Sequence, residues 1–336
     1  MNRSSEPFPL NTFEEFVELS DQIIPVSWKI AQDGNSQPAH AYPPKITLSP
    51  ITGKIRELRI SKSLVRHLIY KGEPYPVCPY KVYHCQLLRD IITAPSESMV
   101  KGLYFESRCI GSSAGGEIIT DLTRHKKTGK KLSDHERIDH AVELFHQVVK
   151  DYQLIVDPHY TQIYRKRRWI DPARQSHVPV YLDGTLDFIS PIATPRYSFD
   201  AATIDLKLTK DRDVTDSFSN GLFHSSPWGA PERMDFIEAT MYRLLFEMPF
   251  VYLVFDFKKE NPGFKDIPIV THVNDPDSGK ANLAQQRMND LYTTLRWVSE
   301  SIFRWEALRW PMEPDTLVCA KCVILDCPSR EERIEI

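Results

Sequence analysis

An α/β fold built around one sheet is predicted by three features of this 336-residue chain. Apolar residues recur at helical spacing over Ser133–Tyr152 and Ala281–Leu308. They alternate every second residue over Val178–Ile189 and Ala202–Thr209, as a pair of neighbouring strands would. Phe250–Phe257 is a short, nearly continuous apolar run of the kind that forms a buried strand. Helix, strands, helix, strand and helix in that order indicate an α/β or α+β domain with a central sheet flanked by helices.

In chain order, Thr12 and Glu15 have capping-box spacing, which predicts a helix from Thr12 to about Ile24. Lys29–Pro50 is rich in Pro, Gly and polar residues and reads as an extended arm, so residues 1–55 form a partly irregular N-terminal extension to a main domain over 56–336. SKSLVRHLIYKG, from Ser61, places Leu64 and Leu68 on one face of a short helix. Met99–Glu106 is a further helix. In Ser133–Tyr152 the inner face is Ile138, Ala141, Leu144, Phe145 and Val148. Pro231–Phe246 returns to helical spacing after the strands, and Ala281–Leu308 presents Leu291, Leu295, Val298 and Ile302 inward.

Composition narrows the function. Hydrophobic residues are 41% and charged residues 26%, close to the globular norm, so disorder is at most local. No apolar run reaches the roughly 18 residues that span a bilayer, and MNRSSEPFPLNTFEEF lacks a basic segment followed by an apolar one. No membrane partner is expected, and the location expected is intracellular, in the cytoplasm. With 42 basic against 45 acidic residues, affinity for a polyanion must come from local clusters, of which Arg124–Lys131 and Arg165–Arg168 stand out. Six cysteines without a secretory segment indicate reduced thiols rather than a disulfide scaffold.

The chemistry concentrates on the strand pair. Side chains alternate along a strand, so Leu186 and Phe188 share a face opposite Thr185 and Asp187. In the next strand Ile204, Leu206 and Leu208 turn away from Asp205 and Lys207. If the strands are neighbours, Asp187, Asp205 and Lys207 converge above a hydrophobic sheet. Two adjacent carboxylates repel unless a cation lies between them, which points to a hard divalent metal, Mg²⁺ or Mn²⁺. The lysine could orient an attacking water or offset charge developing on a phosphate. The plainer alternative is a cross-face ion pair, and the same D-x-K tripeptide recurs at Asp256–Lys258 without a preceding acidic strand.

These segments resemble the motifs of the RecB-like branch of the PD-(D/E)XK nuclease superfamily. GTLDFI at Gly184–Ile189 is similar to that branch's second motif, and IDLK at Ile204–Lys207 to its third. Gly102 and Glu106 in KGLYFES fit the upstream glycine-plus-four motif. EATMY supplies Glu238 and Tyr242 where the branch has Q-x-x-x-Y, so the tyrosine matches and glutamate stands in place of glutamine. The resemblance covers about Ile60 to Cys327. It implies a restriction-endonuclease-like core with a mixed sheet, and a metal-dependent nuclease that hydrolyses DNA phosphodiesters, exonuclease-like on DNA ends or single strands. Glu106, Asp187 and Asp205 would hold the Mg²⁺ or Mn²⁺, Lys207 would support the water, and Glu238 and Tyr242 would line the site. The alternatives are a non-cleaving nucleic-acid-binding or scaffold protein on the same fold, or an RNA endonuclease. No G-x-x-x-x-G-K-[ST] segment is present, so unwinding would need a helicase or another repair or recombination partner.

LVCAKCVILDC spaces Cys319, Cys322 and Cys327 as C-x₂-C-x₄-C, and Cys78 precedes Pro79 far upstream. One cysteine before the core and three behind it resembles the iron–sulfur members of the branch, the AddB-type and CRISPR-adaptation nucleases, whose last gap is usually one residue longer. The resemblance implies a [4Fe–4S] cluster on these four thiolates, with structural Zn²⁺ as the chemical competitor. Cys85 and Cys109 read as free thiols. His135, His140 and His146 read as surface or packing residues, and Trp297, Trp305 and Trp310 as packing.

Overall fold

The computed structural model describes residues 44–70, 73–74, 77–91, 97–112, 133–171, 177–209, 222–225, 231–233, 236–257, 263–269 and 280–312, with 322, 324 and 327. The predicted helix at Thr12–Ile24, the basic run Arg124–Lys131, Lys258 and Cys319 lie outside the described residues. The chain divides into two compact units, one comprising Ser96–Arg165 and Thr185–Pro276, the other running from Pro44 to Pro95 and including Lys166–Gly184 and the residues from Asp277 on.

In the second unit, β1 (Ile46–Leu48) pairs antiparallel with β2 (Ile55–Ser61), so part of the segment that reads as an arm is an edge strand. Helix α1 (Lys62–Leu68) starts directly from β2, and its cap is local. The Ser61 hydroxyl accepts from the Leu64 N–H, while Leu64, Val65 and Leu68 are buried. Residues Pro79–Val82 form one short helical turn, which continues as a π-helix over Tyr83–Leu88 and ends at Arg89 in the left-handed region, φ 60°. Two further strands pass from one unit into the other: β3 (Thr161–Trp169), divided after Arg165, and β4 (Val180–Ala193), divided after Gly184. Val180–Asp183 of β4 run parallel to Leu58–Ser61 of β2. The last helix of the chain, α5 (Lys280–Ala307), completes this unit, with Leu291, Leu295, Val298, Ile302 and Trp305 buried.

In the first unit, β4 continues antiparallel to β5 (Ser198–Thr209), with Phe188 opposite Ile204 and a register shift between Ser190 and Ile192. Strand β6 (Phe250–Asp256) lies parallel to β5 and antiparallel to β7 (Phe264–Ile269), which makes the sheet mixed. Helices α2 (Glu97–Ile110) and α3 (Ser133–Asp151) cover one face. There Tyr104, Phe105, Ile138, Phe145 and Val148 pack with Phe188, Ile204, Leu206, Val251, Leu253 and Phe255 in one core. Each strand contributes alternate residues to that core, which sends Asp205, Lys207, Phe250 and Tyr252 to the opposite face. Helix α4 (Phe236–Phe246) covers this second face, where Tyr242 stacks on Phe250 with ring centroids 5.6 Å apart.

The structure corrects one expectation. Helix α4 begins at Phe236 rather than Pro231. Pro231–Arg233 pair instead as a short strand with Leu222–Ser225, because the proline cannot continue a helix and suits an edge strand. The Arg165–Arg168 cluster lies in the second half of β3, with Lys166 and Arg168 exposed. There Lys166 pairs with Glu57 at 2.5 Å and lies 3.9 Å from the centre of the Tyr181 ring, and Arg165 faces the ring of Phe246. No helix among the described residues is long and apolar enough to cross a membrane.

Candidate active site

The β4–β5 register fixes the centre of the site. With Phe188 opposite Ile204, Asp187 and Asp205 fall at facing positions of adjacent strands, on the side away from the core. Asp187 Oδ2 accepts the backbone N–H of Leu206 at 2.6 Å, which ties the β4 carboxylate to the residue between Asp205 and Lys207. Asp205 is only 2% exposed and Asp187 9%. Lys207 extends from the same face, forms an ion pair with Asp205, reaches Glu238 Oε1 at 3.1 Å and crosses the Tyr252 ring at 5.5 Å. Two buried carboxylates thus share one ammonium.

Helix α4 supplies the roof because Glu238 and Tyr242 are one turn apart and share a face. Glu238 is 2% exposed. Tyr242 donates its hydroxyl to the Thr185 carbonyl at 2.8 Å, holding β4 two residues before Asp187. The residue that the resemblance would make glutamine therefore acts as the second acidic partner of Lys207.

Glu106, on α2, stands on a separate arm of the site. Its Oε1 accepts from the Gln162 amide, on β3. The neighbouring Cys109 thiol is held well above its ordinary pKa, first by burial and then by the negative charges of Glu106 and Asp187, so these two carboxylates act on one point. Cys109 is neutral at pH 7, as a packing thiol should be. Gln162 carries no signal in the sequence, because it belongs to a segment whose charge masks its strand character.

Neither family models nor curated proteins yield a match to this chain.

The donor set suits a hard cation: every candidate ligand is a carboxylate oxygen on a rigid strand or helix. Among the described residues, however, no three His, Cys, Asp or Glu side chains converge to grip an ion directly. Cys78 is half-buried at the start of the short helical turn, Cys322 is half-buried and Cys327 is buried, and the three do not form a metal-holding group among the described residues. Cys85, an isolated thiol in the sequence, has its pKa raised by burial and further by Cys322.

His135 is buried, bonded to Asp139 at 3.1 Å and against the Tyr104 ring, and Trp310 stacks on Tyr83 with centroids 4.5 Å apart. These residues pack, as expected.

Proposed function

We propose that the chain is a metal-dependent nuclease that hydrolyses DNA phosphodiester bonds, with its reacting centre on the polar face of β4 and β5. The reading is carried by one observation: Asp187 and Asp205 face each other across two strands, with Lys207 on the same face and bridged to Glu238. A bound Mg²⁺ or Mn²⁺ would supply Lewis acidity and a more acidic water. Asp187 and Asp205, with Glu106, are the residues that would hold it. Lys207, ion-paired with two carboxylates, orients the water and offsets charge on the phosphate oxygens. Tyr242 fixes the strand that carries Asp187.

The absence of three converging ligands among the described residues favours a second reading, a non-cleaving DNA-binding protein on the same fold. Labelled single-stranded DNA, duplex DNA and RNA, each incubated with and without Mg²⁺ or Mn²⁺, separate the two. Cleavage of DNA only with metal is expected, and binding without cleavage under any metal would overturn the proposal.

Substrate contact is expected from the basic clusters of the sequence. Neutralising Lys126, Lys127, Lys130 and Lys131 together should weaken DNA binding and flatten its salt dependence, by about 0.9 in log–log slope for each phosphate no longer neutralised. Arg168, exposed on β3, should add to the effect. A slope equal to that of the wild type, measured by titration between low and moderate salt, would remove these residues from the interface.

A further inference from the structure

Strand β3 breaks its own alternation at Gln162. Gln162 and Ile163 are both buried, at 9% and 1% exposure, although successive strand residues should point to opposite faces. The cause is backbone: Gln162 has φ 52°, in the left-handed region that non-glycine residues adopt at a cost of order 1–3 kcal/mol. That conformation turns a second side chain inward and brings its amide to Glu106. The Nε2 group donates to Glu106 Oε1, which fixes the orientation of the amide, because the opposite flip would set two acceptors against each other. The other amide atom, Oε1, is buried, and no hydrogen-bond donor among the described residues reaches it. A buried acceptor without a donor is unfavourable by roughly 1–3 kcal/mol. Where no donor among the described residues reaches it, a water can, and beside a carboxylate such a water is well suited to a cation's hydration shell.

We propose that Gln162 is the positioning residue of Glu106, and that its Oε1 accepts a hydrogen bond from a water of a hydrated divalent cation held beside Glu106. This rests on the metal-dependent reading of the site and extends it. A cation gripped through its waters needs outer partners of this kind. Gln162 would hold Glu106 in one rotamer and provide the acceptor that the metal's water requires.

The test uses the full chain. Mn²⁺ binding is measured by electron paramagnetic resonance without nucleic acid, and the Mg²⁺ concentration for half-maximal cleavage is measured alongside, for wild type, Gln162→Leu and Gln162→Asn. Leucine removes donor and acceptor at similar size. Asparagine tolerates the left-handed backbone but is one methylene too short to serve both partners, so it remains informative if the leucine variant does not fold. Both should bind Mn²⁺ about 10- to 100-fold more weakly, with an equal shift in Mg²⁺ half-saturation and nearly unchanged kcat at saturating metal. Mn²⁺ affinity within twofold of wild type in folded Gln162→Asn would overturn the inference and leave an internal water as the partner of Oε1. If the variants lose Mn²⁺ affinity while the wild type binds Mn²⁺ yet cleaves nothing, the inference stands and the nuclease reading fails. A wild type that binds no Mn²⁺ overturns both.

Discussion

Asp205→Asn is expected to lower metal-dependent DNA cleavage by about 10²–10³-fold, the equivalent of about 3–4 kcal/mol of transition-state stabilisation, while the protein stays folded. The change is nearly isosteric. It removes the charge that faces Asp187 but leaves an amide oxygen to receive the Lys207 ammonium. Lys207→Ala should abolish cleavage to at least the same degree, but with a second signature. Asp205 and Glu238, 2% exposed each, would then lie close together without the cation they share. The variant should therefore also melt at a lower temperature than wild type, as read by thermal unfolding at pH 7. Asp256→Asn is the control. Asp256 is buried at the end of β6 in the other D-x-K, and any defect there should be in stability rather than turnover. Wild-type turnover in Asp205→Asn, or a larger turnover defect in Asp256→Asn, would move the reacting centre away from β5.

Breaking the Lys45–Asp183 pair is expected to destabilise the second unit, by about 3–5 kcal/mol for Asp183→Asn, because that change leaves the buried Lys45 ammonium opposite a neutral amide. Lys45 Nζ lies 2.7 and 2.6 Å from the two Asp183 oxygens, with Asp183 fully buried and Lys45 7% exposed. The backbone of Lys45 is bound as well, its N–H to the Leu87 carbonyl and its own carbonyl to the Arg59 N–H. Burial brings the Lys45 pKa down to about 8, against the upward pull of Asp183, so the lysine still holds its proton at pH 7. The sign of the pH effect follows from that shift. Between pH 8 and the ordinary lysine value near 10.5, the unfolded chain holds more protons than the folded one, and stability should rise with pH. In Asp183→Asn the upward pull is gone, so the rise should start below pH 8 and the cost should shrink by pH 9. Lys45→Met combined with Asp183→Leu should cost far less than either single change. Denaturant unfolding at pH 7 and 9 measures all three. A single variant within about 1 kcal/mol of wild type would show that the pair is incidental.

What the sequence discloses depends on whether a segment's burial follows one period. Strands β4 and β5 are legible because Leu186, Phe188, Ile204 and Leu206 enter the core at strict alternation, which also places Asp187, Asp205 and Lys207 together. Helix α2 is longer than its apolar spacing predicts, since the stripe continues through Cys109 and Ile110. Strand β3 escapes a reading by pattern for two reasons: four consecutive basic residues dominate it, and the left-handed Gln162 breaks its alternation. Strand β1 spans only three residues in a proline-rich setting, too few to show a period. That a lysine beside it is buried is equally unreadable, because its partner lies 138 residues away. The link between Glu106 and Gln162 is of the same kind, set by tertiary contact between residues with no local pattern in common.

The interleaved connectivity bears on how the chain is made. Strands β1 and β2 and helix α1 belong to the same unit as α5, and the Ile55 N–H bonds to Glu306, 251 residues later. At about 5–20 residues per second on the ribosome, β1, β2 and α1 wait roughly 10–50 s for the helix that covers them, far longer than a small domain needs to fold. The first unit, closed by β7, can be complete while its companion is still half synthesised. Neither unit corresponds to a continuous stretch of polypeptide, so no simple truncation isolates the reacting centre, and Leu58, Ile60 and Leu64 stay uncovered on the growing chain until α5 has been made.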